Sequence, residues 1–89
     1  MKKIIEASGE GLESLLGEYV TLWCDSYIFY GRLVGVNTDD VKLEDTHVVY
    51  ETGPLSDKKF KDAQRLPGEF RYVRTSKIEN YGLHSKGAA

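Results

Sequence analysis

The sequence predicts a small, mostly β domain: a short N-terminal helix followed by a five-stranded, strongly bent antiparallel barrel. Three observations favour this fold class. Residues 19–36 are almost continuously β-branched or aromatic. Apolar and charged side chains alternate again over 41–50 and 69–83, and residues typical of turns separate these segments. With 89 residues the chain is expected to be one domain, 1–89, whose barrel spans about 18–82.

The predicted helix covers about residues 9–16. Ser8 is a candidate N-cap, and Gly17 is the expected C-terminal stop. The spacing of three leucines places them on one face: Leu12, Leu15 and Leu16. A helix this short is unstable in isolation, so its leucine face is expected to cover the barrel.

The first two strands are predicted to form a hairpin whose turn contains Asp25 and Ser26. Period two gives the first strand its inward set, Val20, Leu22 and Cys24. The inward set of the second strand is Phe29, Gly31 and Leu33. Because Gly31 has no side chain, it suits a sharp bend where the barrel closes.

The rest of the chain is expected to supply three more strands. Residues 37–40 read as a tight turn, and the next strand alternates through Val41 and Leu43. Residues 53–68 hold both prolines and little periodicity, which predicts a long loop or insertion. The last two strands should meet near residues 75–76, before a frayed tail at 84–89. Their candidate core residues are Phe70, Tyr72 or Val73, Ile78 and Tyr81.

Composition and charge limit the function classes. The net charge is −2 and the pI about 5.6, whereas proteins held by phosphate contacts usually carry a basic excess. Nucleic-acid binding would therefore need a local basic patch. The single Cys24 excludes an intrachain disulfide and fits a reducing, cytoplasmic setting. No segment reads as a signal peptide or a bilayer span, so no membrane association is expected.

Two segments resemble the motifs of the Sm and Sm-like protein family, over residues 12–81. The first motif is matched by Leu16, Gly17, Val20, Leu22, Phe29, Gly31, Leu33, Asn37 and Leu43. The second motif is matched by Val73, Arg74 and Ile78. This resemblance implies an SH3-like barrel of the Sm-like fold. It also implies a homo-oligomeric ring of about five to seven subunits, closed by pairing of edge strands.

The resemblance further implies a central pore that contacts single-stranded RNA. The candidate pore residues are Asn37, Asp39, Asp40, Arg74 and Lys77. Two of the corresponding positions depart from the family pattern. Asp40 stands where the family has an Asn that reads a base, and Thr75 replaces a Gly. An aspartate can accept a hydrogen bond from a base, but it repels nearby phosphates.

Each candidate site has a structural alternative. Arg74 and Lys77 could meet phosphates or bases, or they could form ion pairs with Asp39 or Asp40. Seven aromatic residues could stack on bases, or they could pack in the barrel core or at a subunit interface: Tyr27, Phe29, Tyr30, Tyr50, Phe70, Tyr72 and Tyr81. A solvated loop face is favoured over nucleic-acid contact for the locally basic stretch 57–65.

Catalytic and metal chemistry are not expected. Four acidic residues lack the spacing of a known metal loop, and a solvated turn is the default reading for Asp39, Asp40, Glu44 and Asp45. Cys24 has no positioned His, since His47 and His84 are far apart in sequence. The sequence thus predicts a non-enzymatic, cofactor-free Sm-like ring that contacts single-stranded RNA or another nucleic acid. The alternative is a structural or protein-interaction ring on the same fold that has lost nucleic-acid binding.

Overall fold

A computed structural model describes residues 11–56 and 59–84 of the chain. In these ranges the backbone forms six β-strands and two short 3₁₀ turns. The strands are β1 (Tyr19–Cys24), β2 (Ile28–Val36), β3 (Asp40–Glu51), β4 (Asp62–Arg65), β5 (Phe70–Arg74) and β6 (Ile78–Leu83). The 3₁₀ turns are Leu12–Leu15 and Thr75–Lys77. The prediction of a mostly β fold is therefore confirmed.

All strand pairs are antiparallel, in the order β4-β3-β2-β1-β6, and β5 also pairs with β3. The long strand β3 has two partners on one side: β5 lies along residues 40–44, and β4 along 47–51. The expectation of five strands is wrong, because β4 lies inside the predicted loop 53–68. Ala63 is the one apolar residue of β4, so this strand has no apolar alternation and is held by backbone pairing with β3.

The predicted closed barrel is also corrected, since the six-stranded sheet is not closed. Strands β5 and β6 follow each other in sequence, but the three-residue turn between them leads to different neighbours. Among the described residues, β5 pairs only with β3, and β6 pairs only with β1. Each of these two strands therefore keeps one edge without a strand partner.

The register between β2 and β3 shifts at Gly31. Tyr30 lies opposite His47, whereas Arg32 lies opposite Glu44, so Gly31 faces two residues of β3. One of these two, Asp45, has a positive φ of 52°. A Cβ on Gly31 would lie 2.9 Å from the Glu44 carbonyl oxygen and 3.2 Å from the Thr46 Cα. The absent side chain thus lets a bulge in β3 approach β2 closely, as bulges do in bent sheets.

One cluster of buried apolar residues lies on one face of this sheet and consists of Val20, Leu22, Leu33, Val41, Leu43 and Val73. Tyr30, Val48 and Val49 are buried outside this cluster. Partly buried side chains pack against it: Leu12, Leu15, Cys24, Phe29, Val36 and Ile78. The inward sets predicted for β1 and β2 are confirmed, with Cys24 and Phe29 at their half-buried ends.

Three aromatic candidates for the core lie at the surface instead. Val73 points to the core opposite Val41, so period two turns Phe70 and Tyr72 to the outer face. Tyr81 lies opposite the buried Leu22, on the core face, yet it is 40% exposed because β6 is an edge strand.

The prediction of an N-terminal helix over 9–16 is wrong for residues 11–16, the part of this range that the structure describes. A four-residue 3₁₀ turn, Leu12–Leu15, replaces it, and the chain is already extended at Leu16, with ψ 131°. Gly11 and Gly17 have φ values of 84° and 88°, a left-handed backbone that interrupts a helix on both sides. As a result Leu16 is 49% exposed and does not join Leu12 and Leu15. The proposed cap Ser8 lies outside the described residues.

Over residues 11–56 and 59–84, no helix has the length and apolar character needed to cross a bilayer.

Candidate nucleic-acid interface

The turn between β2 and β3 holds three of the predicted pore residues. The Asn37 backbone N–H donates to the Asp40 carbonyl at 2.9 Å, which closes the tight turn predicted for 37–40. The Asn37 Nδ2 also donates to the Asp40 Oδ1 at 2.9 Å. Asn37 and Asp39 are exposed, whereas Asp40 is half-buried and begins β3. Among the described residues the Asp39 carboxylate has no hydrogen-bond or ion-pair partner, whereas the Asp40 carboxylate accepts a hydrogen bond from the Asn37 side-chain amide.

A second turn, 74–77, packs directly beside the first. The Thr75 N–H donates to the Asp39 carbonyl oxygen at 2.9 Å, and Arg74 lies directly opposite Asp40 in the β3–β5 ladder. The juxtaposition follows from β3 beginning at Asp40 and β5 ending at Arg74. All five predicted pore residues thus belong to two adjoining turns.

The ion pairs expected between these turns are not formed. Lys77 instead pairs with Asp25 of the β1–β2 turn, at 3.4 Å between Nζ and Oδ2. Within the described ranges, no carboxylate oxygen lies within 4.0 Å of the Arg74 guanidinium. Arg74 is also exposed, so its positive charge is available to a ligand.

An aromatic and cationic patch adjoins Arg74 on the outer face of β5. We define the β5 patch as Lys42, Phe70 and Tyr72. The Lys42 Nζ lies 4.0 Å from the centroid of the Phe70 ring and 5.8 Å from that of Tyr72. Sequence reasoning missed Lys42, although the alternation of β3 turns it to the same face as Asp40 and Glu44. The patch combines a cation with two rings, 38% and 59% exposed, that could stack on a base.

The remaining aromatic candidates divide between surface and interior. Tyr27, Tyr50 and Tyr81 are exposed, whereas Phe29 packs against the core. Tyr30 is 1% exposed, so it cannot stack on a ligand in this conformation. Its burial raises the pKa of its phenol.

Tyr30 lies between the two histidines. The ring centroid of His47 lies 4.6 Å from that of Tyr30 on one side, and His84 lies 4.2 Å away on the other. The two interplanar angles, 6° and 5°, make this a three-ring stack that the distance between the histidines in sequence concealed. Cys24 packs against the core on the opposite side of the sheet, where burial raises the pKa of its thiol. A thiol held neutral in this way is a poor nucleophile.

Three of the four acidic residues named as possible metal ligands already have partners within the chain: Asp40, Glu44 and Asp45. Asp45 accepts hydrogen bonds from the Tyr19 hydroxyl at 2.7 Å and from the Arg65 Nε at 2.8 Å. The hydrogen bond from Tyr19, and after it the bond from Arg65, lowers the pKa of the Asp45 carboxyl. The hydrogen bond between Tyr19 and Asp45 also raises the pKa of the Tyr19 phenol. Glu44 is paired with Arg32. Over the ranges that the structure describes, no group of three or more potential ligand side chains could hold a metal ion.

The locally basic stretch 57–65 makes contacts within the chain where it is described. Lys61 pairs with Glu51 at 3.0 Å, and Arg65 pairs with Asp45. Residues 57 and 58 lie outside the described ranges. The stretch was predicted to be a solvated loop face, but its residues 62–65 form strand β4, and the choice between a solvated face and nucleic-acid contact stays a prediction.

Comparison with models of known protein families and with curated proteins finds no match to this chain. The resemblance to the Sm and Sm-like family therefore stays a prediction, carried by the residues of the two motifs.

Proposed function

We propose that the protein is a non-enzymatic, ring-forming binding module of the Sm-like type, and that turns 37–40 and 74–77 together contact single-stranded RNA. The observation that carries this proposal is the hydrogen bond from the Thr75 N–H to the Asp39 carbonyl. It holds together, in one chain, the two turns in which the resemblance puts an RNA site. Arg74, exposed and without a carboxylate partner in the described ranges, supplies the charge for a phosphate.

Among the described residues β4, β5 and β6 each have one edge without a strand partner, and the edges of β5 and β6 support ring formation. A pair of unlike edges on one chain favours a head-to-tail contact, in which β5 of one copy adds to β6 of the next. Such a contact closes into a ring when the rotation between neighbours divides a full turn. Each subunit would then bring its two turns to a common opening, where a local patch could outweigh the net charge of −2.

Loss of the Arg74 charge tests the RNA contact. In fluorescence anisotropy with a labelled U-rich single strand at low salt, Arg74→Ala should reduce affinity at least tenfold, because Lys77 is paired with Asp25 and Arg74 is the cation of the two turns without a carboxylate partner in the described ranges. Lys61→Ala is the matched control: it also removes one positive charge, but from the neighbourhood of Glu51, at the other end of β3. Equal effects of the two substitutions would reject a site at the turns.

A protein-interaction ring is the second candidate function, and the exposed apolar side chains favour it. Tyr72 and Leu83 are each 59% exposed, and exposed apolar side chains of this kind can contact a protein partner. Under this alternative the acidic tip of turn 37–40 repels nucleic acid. Wild-type protein would then show no salt-dependent RNA binding, and Arg74→Ala would change nothing.

A further inference from the structure

The outer face of the sheet carries a row of side chains that joins the second turn to the β5 patch. Val73 points to the core, so the alternation of β5 turns Tyr72 and Arg74 to the opposite face. In the β3–β5 ladder Tyr72 lies opposite Lys42. Arg74 ends β5 and begins turn 74–77, so it belongs to this row and to the turn. The β5 patch is therefore continuous with the site proposed for RNA.

Tyr72 is the ring of the patch that a ligand can reach most readily. The Lys42 Nζ lies 4.0 Å from the centroid of Phe70 and 5.8 Å from that of Tyr72, so the ammonium group mainly covers Phe70. Tyr72 is 59% exposed, and no other aromatic ring of the described residues stacks on it. An exposed ring of this kind offers a face on which any base can stack.

The neighbouring strand β2 leaves the surface beside Lys42 open. Gly35 lies opposite Lys42, and a Cβ on Gly35 would lie 3.2 Å from the Lys42 Cβ and 3.8 Å from its Cδ. Because Gly35 has no side chain, the stem of Lys42 lies close to the β2 backbone, and position 35 places nothing over the patch. The ammonium group is thus held beside the two rings by a stem that packs on the sheet.

The charges around Tyr72 favour an anionic ligand. Within the described ranges, no carboxylate oxygen lies within 4.0 Å of the Lys42 Nζ or of the Arg74 guanidinium. Two cations without carboxylate partners therefore flank one exposed ring. A nucleotide matches this arrangement, because it offers a planar base to the ring and phosphates to the cations. The two carboxylates that share this face already have partners: Glu44 with Arg32, and Asp40 with Asn37.

We infer that the β5 patch is a second nucleotide subsite, in which one base stacks on Tyr72 and Lys42 binds a phosphate of the same strand. This inference rests on the RNA contact proposed for the two turns. It adds a direction: the strand leaves the turns at Arg74 and continues over the outer face of β5. Phe70 holds the ammonium group of Lys42 in place and does not itself stack on a base.

Substitutions at Tyr72 separate the patch from the turns in anisotropy with the labelled U-rich strand at low salt. Tyr72→Thr removes the ring but keeps a residue that favours strands, so it should fold and weaken binding by about fivefold or more. Tyr72→Phe keeps the ring and should bind as the wild type does. Tyr50→Thr is the matched control. Tyr50 is 56% exposed, but it lies near the other end of β3, so its replacement should leave affinity unchanged.

Lys42→Gln tests the phosphate contact. Loss of one cation that binds a phosphate of a single strand should reduce the slope of log affinity against log salt concentration by about 0.7. Lys61→Gln is the control, since it removes a cation that is paired with Glu51, and it should leave the slope unchanged.

Photocrosslinking locates the stacked base in the wild-type protein, independently of any variant. A U-rich strand that contains 5-iodouridine is irradiated in the complex, and the protein is then digested with trypsin. Cleavage after Arg71 and Arg74 releases residues 72–74, in which Tyr72 is the one aromatic side chain. Phe70 lies in the preceding peptide. We expect the 72–74 peptide to carry a crosslinked nucleotide.

The results distinguish failure of the subsite from failure of the proposed function. If Tyr72→Thr binds RNA as the wild type does while Arg74→Ala loses affinity, the turns bind RNA without the patch. That result overturns the subsite and favours a protein contact at the β5 patch. If the wild type binds no RNA, the proposed function and the subsite both fail. The subsite is also rejected if Tyr72→Phe loses as much affinity as Tyr72→Thr, or if the crosslink lies on Phe70 and not on Tyr72.

Discussion

Gly31 shows how a single missing side chain permits the bend of the sheet. A Cβ at this position would meet backbone atoms of β3, the nearest at 2.9 Å, and backbone cannot move aside as a flexible side chain can. We therefore expect Gly31→Ala to lower the free energy of unfolding by about 1–3 kcal/mol. Urea denaturation followed by tryptophan fluorescence measures this change.

Gly82→Ala is the matched control for this prediction. Nothing lies within 4 Å of the position that its Cβ would occupy, so the same substitution should change stability by less than about 0.5 kcal/mol. Comparable losses at both glycines would contradict close approach of β3 as the cause of the effect at Gly31.

Asp45 is expected to make stability depend on acid pH. Its two hydrogen bonds lower its pKa in the folded state below the ordinary value of 3.8. Stability from this carboxylate is therefore fully present above pH 3.8, and it is lost as pH falls through the lower, folded pKa. Asp45→Asn should reduce the melting temperature at pH 7, and its difference from wild type should shrink below about pH 4.

Asn is a suitable replacement because it tolerates the positive φ of this position. Asp39→Asn is the control, since its side chain makes no hydrogen bond or ion pair in the described ranges. A constant difference between wild type and Asp45→Asn from pH 7 to pH 2 would contradict a role for its ionised form.

At the scale of the elements, alternation in the sequence predicted five of the six strands and missed β4. Strands β1, β2 and β3 each bury a set of alternate apolar side chains, which a period of two reveals. Strand β4 buries little and exists through its ladder with β3, so no local pattern could disclose it. The helix was predicted from leucine spacing, but glycines on both sides favoured a single 3₁₀ turn.

Because residues 12–15 form a 3₁₀ turn, Leu15 and Leu16 are expected to contribute differently to stability. Leu15 packs against the core and Leu16 does not, although both belong to the face that a helix would bury. Leu15→Ala should cost about 1–2 kcal/mol of unfolding free energy, less than a fully buried leucine. Leu16→Ala should be within about 0.5 kcal/mol of wild type. Equal costs in urea denaturation would favour the helix instead.

At the scale of the whole molecule, the proposed Sm-like ring predicts closed assembly through the free edges of β5 and β6. Multi-angle light scattering should give a mass of about five to seven times the 10.0 kDa chain. The mass should stay constant on dilution over the micromolar range, because a closed ring leaves no edge for further growth. A monomer would reject the ring, and a mass that rises steadily with concentration would indicate open, head-to-tail growth.

The candidate site was predictable in its location and not in its ion pairs. The resemblance put turns 37–40 and 74–77 side by side, and the structure joins them through Thr75 and Asp39. The sequence could not reveal the partner of Lys77, because Asp25 lies in a turn 52 residues away in sequence. The place of Lys42 beside Tyr72 likewise depends on pairing between distant strands.

The proposal that the two turns act as one nucleic-acid site can be tested with Asp40→Asn. The Asn side chain can still accept the hydrogen bond from Asn37, so the turn keeps its shape while one negative charge per subunit is lost. In anisotropy with U-rich single-stranded RNA at two salt concentrations, we expect Asp40→Asn to bind more tightly than wild type at low salt. The gain should shrink at high salt, because salt screens the repulsion between Asp40 and phosphate in the wild type. Unchanged affinity at low salt would reject a shared site at the two turns and favour the protein-interaction ring.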